Sequence, residues 1–131
     1  MKEESFGSYL RFLRLSKRPP VTQEQLAQSV GRSKMCISQF ECGKNVAPQG
    51  ELLERIIYAL DISQNEEVKM RFLAAKERRS LPSDIEDYFF ENSKIYELIR
   101  MLMLSGAQYG DWSHLIDSLE ESCDEKNTRT D

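Results

Sequence analysis

The sequence predicts an all-α chain. Apolar residues recur at the three- and four-residue spacing of a helix face in successive segments, capping signals stand ahead of several of them, and Gly or Pro punctuates the gaps. No stretch reads as a convincing strand, and no internal repeat is visible.

Phe6, Leu10 and Leu13 make the first stripe, a helix to about Leu15 with Arg11 and Arg14 beside it. Lys17-Arg18-Pro19-Pro20 stops it, because Pro lacks a donor N–H and biases its predecessor away from helix. Thr22 caps the second helix with Gln25 as capping-box partner, and Leu26, Ala27 and Val30 supply its apolar face up to Gly31. After Arg32, Ser33 caps a third short helix through about Phe40. Its inward residues are Ile37 and Phe40, while Lys34, Met35, Ser38 and Gln39 look elsewhere, and Gly43 closes it. A loop through Asn45 and Pro48 leads to a strongly apolar fourth helix with Leu52, Leu53, Ile56, Ile57 and Leu60. Ser63 and Glu66 cap a fifth, whose expected stripe is Val68, Phe72 and Ala75 before Lys76-Glu77-Arg78-Arg79.

Leu81-Pro82 marks a boundary, and Ser83 with Glu86 offers another capping box ahead of Ile85, Tyr88 and Phe89. Asn92 is expected to cap the next helix, in which Ile95, Leu98, Ile99 and Leu102 share a face until Ser105-Gly106 and Gly110 break it. Asp111 is expected to cap a last helix with Trp112, Leu115, Ile116 and Leu119. The expected organisation is therefore a helical domain over residues 1–80, a helical extension over 81–120, and a polar flexible tail over 121–131.

At 131 residues, with 40% hydrophobic and 31% charged side chains, the composition is that of a globular chain. One His excludes a multi-His metal site, three Cys do not make a disulfide scaffold, and no apolar run approaches the roughly 20 residues of a bilayer span. The N-terminal MKEESFGSYLRFLRLSKRPP lacks the apolar core and cleavage site of a signal peptide, so a reduced, cytoplasmic protein without membrane contact is expected. No nucleophile–base pair, carboxylate cluster, phosphate-cradling Gly loop or metal-ligand spacing appears, so neither an enzyme nor a cofactor is expected. His114 reads as a packing or surface residue, and Cys36 and Cys42 as small hydrophobes rather than a redox pair.

The net charge of -4 hides a partition. Residues 1–50 carry eight Lys or Arg against four Glu, a local balance of +4, and residues 51–131 carry ten against 18 acidic residues, a balance of -8. A polyanion feels the local patch first, so the first third of the chain is compatible with nucleic acid.

The stretch Thr22–Gly43, TQEQLAQSVGRSKMCISQFECG, resembles the helix-turn-helix of phage repressor-like (Cro/C1, Xre) transcriptional regulators, and the resemblance extends over residues 6–75. It implies a five-helix lambda-repressor-like DNA-binding domain with a C-terminal helical extension, the third helix lying in the major groove and two copies on a symmetric operator. Lys34, Met35, Ser38 and Gln39 would then face base edges: Lys34 toward guanine O6 or N7, Gln39 toward adenine, Ser38 toward either, and Met35 toward a thymine methyl. Gln23 matches the family residue that clamps a phosphate, with Arg32, Lys44, Asn45 and Arg11 or Arg14 as further phosphate contacts. Glu41 is expected to be structural and to pair with a basic neighbour such as Arg14. The chain departs from the family pattern at Cys42 and in the later arrival of Pro48.

In the extension, Tyr88, Phe89, Ile95, Leu98, Ile99, Leu102 and Trp112 are too apolar for a tail. Either they cover the back of the first domain and enlarge its core, or they join two copies of the chain, or both. The expected function is a sequence-specific double-stranded DNA-binding regulator, a repressor working by occupancy as a homodimer. The alternative is an antitoxin that grips its toxin through the C-terminal helices and represses its own promoter.

Overall fold

The computed structural model describes residues 4–128, apart from the side chains of residues 83, 109–110 and 124–128. The described residues are all-helical, with eight helices and no strand. In order these are α1 (Phe6–Ser16), α2 (Gln23–Val30), α3 (Lys34–Cys42), α4 (Gly50–Leu60), α5 (Gln64–Arg78), α6 (Ser83–Glu91), α7 (Ser93–Ser105) and α8 (Tyr109–Thr128). Among them no helix is long and apolar enough to cross a membrane. The chain divides into two compact units, Met1–Asp87 and Tyr88–Asp131, so the division falls inside α6 rather than at Leu81-Pro82.

The first unit is built from locally legible helix ends. Thr22 and Gln25 satisfy each other's backbone N–H groups at 3.0 and 2.9 Å, and Ser63 and Glu66 do the same at 3.2 and 3.0 Å. Ser33 Oγ accepts the Cys36 N–H at 3.2 Å. Ser5 and Ser8 form a further capping box ahead of α1, which the sequence reading did not single out. Gly31 and Gly43 end α2 and α3 with left-handed φ of 71° and 79°, values that favour a residue without Cβ.

These helices enclose one apolar core. It is made by Phe6, Leu10 and Leu13 of α1, Leu26, Ala27 and Val30 of α2, Ile37 and Phe40 of α3, Leu53, Ile56, Ile57 and Leu60 of α4, and Met70, Leu73 and Ala74 of α5. On α5 the expected stripe is corrected. Val68 and Phe72 are exposed, and the buried face is Met70, Leu73, Ala74 and Ala75. Both sets satisfy helical spacing, and the one nearer the α1 and α4 side chains is the one enclosed.

Polar ties fix α5 and the loop after α3. Arg71 pairs with Glu54 across to α4 and with Glu67 on its own helix at 2.8 Å, and the guanidinium holds the Glu54 carboxyl below its ordinary range. Glu77 accepts the Phe6 N–H at 3.3 Å and the Ala47 N–H at 3.2 Å, joining the start of α1 to the α3–α4 loop. Arg78 Nη1 donates to Pro48 O at 2.5 Å in the same loop.

The second unit is differently made. Phe89 meets Phe90 edge-on with ring centroids 5.4 Å apart and Tyr96 at 5.3 Å, and Arg100 lies over Tyr96. No residue of α7 is buried within the described chain. Two capping expectations change. Asn92 precedes α7, but its Nδ2 donates back to Tyr88 O at 2.7 Å. α8 starts at Tyr109, two residues before Asp111, whose carboxylate instead accepts the Gln108 N–H at 2.9 Å. The Ser83 side chain lies outside the described residues, and Pro82 O accepts the N–H groups of Ile85 and Glu86 at 3.1 and 2.8 Å. Of the polar tail expected from residue 121, residues 121–128 belong to α8. No Gly or Pro interrupts residues 121–128, and polarity alone does not end a helix. Residues 129–131 of that tail lie outside the described residues.

Candidate nucleic-acid interface

α3 is held on one side by the buried Ile37 and Phe40, with Cys36 packed beside them and Glu41 paired to Arg14. Ile37 is fully enclosed and Phe40 nearly so, with the Phe6 ring edge-on to Phe40 at 6.5 Å. At about 100° per residue, Lys34, Ser38, Cys42, Met35 and Gln39 fall within an arc of about 140° facing away from Ile37 and Phe40. Lys34 is exposed, Met35 is 68% exposed, Ser38 and Gln39 are half-buried, and Cys42 is exposed near the middle of the arc. An exposed Met that long, beside a free ammonium and two neutral hydrogen-bonding side chains, gains nothing from folding and is available to a partner.

Beneath this arc lies a polar cluster that binds three elements together. Arg14 on α1 grips Glu41 on α3 with two parallel bonds, Nε to Oε2 and Nη2 to Oε1, both 2.8 Å, and the side chains are only 8% and 5% exposed. The third guanidinium nitrogen, Nη1, donates to Val21 O at 2.8 Å, and the Val21 N–H returns a bond to Arg14 O at 3.1 Å. Gln23, the first residue of α2, donates from Nε2 to Glu41 Oε1 at 3.2 Å. A planar fork facing a carboxylate is the geometry in which Arg is not replaceable by Lys. The pairing neutralises the Glu41 carboxylate.

The site residues expected from sequence therefore separate into three groups. Lys34, Met35, Ser38 and Gln39 lie together on one side of α3, and Arg11, Arg32 and Lys44 are exposed. Gln23 and Asn45 are already engaged, Gln23 with Glu41 and Asn45 with Gln39, where Asn45 Nδ2 donates to Gln39 Oε1 at 2.7 Å. Arg14 is enclosed, with three of its five guanidinium N–H groups given to Glu41 and Val21. Sequence reasoning anticipated the Arg14–Glu41 pair.

No family model, curated protein or solved structure matches the chain. The surface is thus read from its own residues. What the sequence did not reveal is the support. Gly7 lets α1 approach α3 closely, since a Cβ there would stand 2.2 Å from Phe40 O. Glu77 anchors the loop that carries Asn45 by binding Ala47. The only sequence signal for Gly7 is a Gly inside an otherwise regular helical stripe, which marks a close backbone approach when it is not an end cap.

Of the residues expected to pack the extension, Phe89, Ile95 and Leu102 are half-buried, and Tyr88, Leu98, Ile99 and Trp112 are exposed. Met101, Met103 and Leu104 add to that apolar surface, Leu104 at 88% exposure.

Proposed function

We propose that the chain is a sequence-specific double-stranded DNA-binding transcriptional regulator of the phage repressor-like type, a repressor that occupies a symmetric operator as a homodimer. In this reading α1 to α5 form the repressor-like domain, α2 and α3 its helix-turn-helix, and α3 lies in the major groove. The observation that carries it is the α3 face itself: Lys34, Met35, Ser38 and Gln39 on one side of a helix whose opposite side is locked by Ile37, Phe40 and the Arg14–Glu41 pair. The basic balance of residues 1–50 supports the same reading.

Selection of bound duplexes from a random library tests it, with a salt series to separate phosphate from base contacts. Lys34→Ala is expected to remove about 1–3 kcal/mol of discrimination at one base position. Lys44→Ala should instead weaken binding to most sequences alike and reduce the salt slope by about one. Unchanged discrimination in Lys34→Ala would show that α3 does not read bases.

The homodimer rests on the exposed apolar side chains of α7 and α8, Leu98, Leu104 and Trp112 among them. Leu98→Glu combined with Leu104→Glu should convert the protein to a monomer in sedimentation equilibrium and abolish the twofold spacing of selected sites, while melting of the first unit stays unchanged. A wild-type monomer at micromolar concentration would remove this part of the proposal.

One observation favours the antitoxin as a second reading. Residues 88–131 carry four Lys or Arg against nine Asp or Glu, a balance of -5, which suits a basic partner better than a like-charged copy. A wild-type monomer that forms a stoichiometric complex with a basic protein through the extension would select that reading.

A further inference from the structure

We infer that Glu77, on the last turn of α5 and 30 residues beyond the loop residue it holds, is a positioning residue for DNA binding: by accepting the Ala47 N–H it fixes the α3–α4 loop so that Lys44 meets a phosphate. The inference rests on the DNA-binding reading above and adds to it a residue that itself touches no DNA.

The loop is pinned at both ends and open at its tip. On the α3 side the Lys44 and Asn45 N–H groups both close on Gln39 O, at 3.0 and 3.3 Å. On the far side Ala47 and Pro48 are buried, Glu77 Oε2 accepts the Ala47 N–H at 3.2 Å, and Arg78 Nη1 reaches Pro48 O. Between these anchors Lys44, Asn45 and Val46 are exposed.

Glu77 stands where local preference opposes it. The last turn of a helix is the negative end of its dipole and favours cations, as its neighbours Lys76 and Arg78 illustrate. Two backbone donors offset that cost. Glu77 Oε1 accepts the N–H of Phe6, the first residue of α1, at 3.3 Å, which places the carboxylate at the positive end of a second helix while its other oxygen holds the loop. Both bonds are partly shielded from water. The Phe6 side chain is fully buried and meets Phe40 edge-on, so one carboxylate registers the loop to the same core that seats α3. Without the Ala47 bond the loop would have to be ordered as DNA binds, and that lost freedom is subtracted from the phosphate contact.

Charge and position give opposite signs. As a charge alone, Glu77 repels a polyanion, and its removal would tighten binding. As a positioning residue, its removal weakens binding. Affinity for a duplex selected with the wild-type full chain is measured across a salt series for Glu77→Ala and Glu77→Asp, alone and combined with Lys44→Ala, at a temperature where melting curves show each protein folded. Asp keeps the charge and shortens the reach by one methylene. Both single variants should bind on the order of tenfold more weakly, with a shallower salt slope and unchanged base preference. In the Lys44→Ala background neither should weaken binding by more than about twofold further, because the contact they support is already gone. Tighter binding by Glu77→Ala with Glu77→Asp unchanged would reduce Glu77 to its charge and overturn the inference. So would lowered melting with unchanged affinity of the folded protein, or full additivity with Lys44→Ala. Should the Glu77 variants not fold, Ala47 amide hydrogen exchange in the wild-type protein reads the tie directly: protection like that of the α5 core supports it, and exchange at the rate of an open loop amide overturns it. A wild-type protein that enriches no duplex removes the DNA-binding reading itself, whereas wild-type binding that the Glu77 variants leave unaffected removes this inference alone.

Discussion

Glu41→Ala is expected to cost the first unit about 3–5 kcal/mol, because it leaves the Arg14 guanidinium enclosed with only the Val21 carbonyl for company. The loss is not the intrinsic worth of the ion pair. Desolvating two charges roughly cancels their attraction, but desolvating one charge without its partner is uncompensated. Small domains have about 5–15 kcal/mol in total, so the variant should sit close to its unfolding midpoint under mild denaturant. Arg14→Ala should be similarly damaging, since the Glu41 carboxylate would keep only the Gln23 amide at 3.2 Å. The double replacement Arg14→Met with Glu41→Leu separates the two explanations. It removes both charges and restores apolar volume, and most of the lost stability should return. Urea unfolding of the single and double variants gives the coupling directly. A Glu41→Ala variant that loses less than about 1 kcal/mol would mean that water reaches Arg14 and that the pair is effectively a surface bridge.

The refolded double variant also has a functional consequence. Gln23 loses its Glu41 acceptor and, in the DNA-binding reading, its orientation toward a phosphate. Stability and operator affinity should therefore part company: the double variant is stable but binds most duplexes more weakly, with its base preferences intact.

Why some of this could be read in the sequence and some could not follows from the range of the interactions. The ends of α2, α3 and α5 are set by side chains within three residues of the backbone groups they satisfy, so Thr22, Ser33 and Ser63 announce them. The α3 face was legible for the same reason, since helical phase alone separates Lys34 and Gln39 from Ile37 and Phe40. Long-range choices were not. The Arg14–Glu41 pair was expected, but not that it would enclose Arg14 while Arg11 stays exposed. On α5 two apolar stripes compete, and the packing of α1 and α4 chooses Met70 and Leu73 over Val68 and Phe72. Gln39 and Asn45 looked like two independent DNA contacts because nothing in their spacing reveals that the Gly43 turn brings one onto the other. The extension shows the same limit. Its apolar residues are plain in the sequence, but what covers Leu98, Leu104 and Trp112 is not supplied within the described chain.

Gly7→Ala should lower the stability of the first unit by about 2 kcal/mol or more, against the direction that helix propensity alone predicts. Ala is favoured over Gly by about 1 kcal/mol in a helix interior, and Gly7 is the second residue of α1. At an unconstrained site the substitution would be stabilising or neutral. Here the added Cβ would lie 2.2 Å from Phe40 O, 2.6 Å from Glu41 O and 2.9 Å from Glu41 C, all main-chain atoms that cannot swing aside as a flexible side chain would. Relief requires α1 to move off the C-terminal end of α3 by roughly an ångström, which loosens the Phe6–Phe40 contact and stretches the Arg14–Glu41 bonds together. Overpacking of this kind typically costs about 1–3 kcal/mol, and when it also disturbs a buried ion pair the clash outweighs the propensity gain. For a unit of this size the melting temperature should fall by about 10 °C. Arg11→Ala on the exposed side of the same helix is the control and should shift stability by no more than about 0.5 kcal/mol. Equal or higher thermal stability of Gly7→Ala relative to wild type would mean that the two helices are not held at this approach. The same displacement would carry along Gln39 and the Asn45 bonded to it, so a Gly7→Ala protein that still folds should bind its selected operator more weakly than its residual stability alone explains.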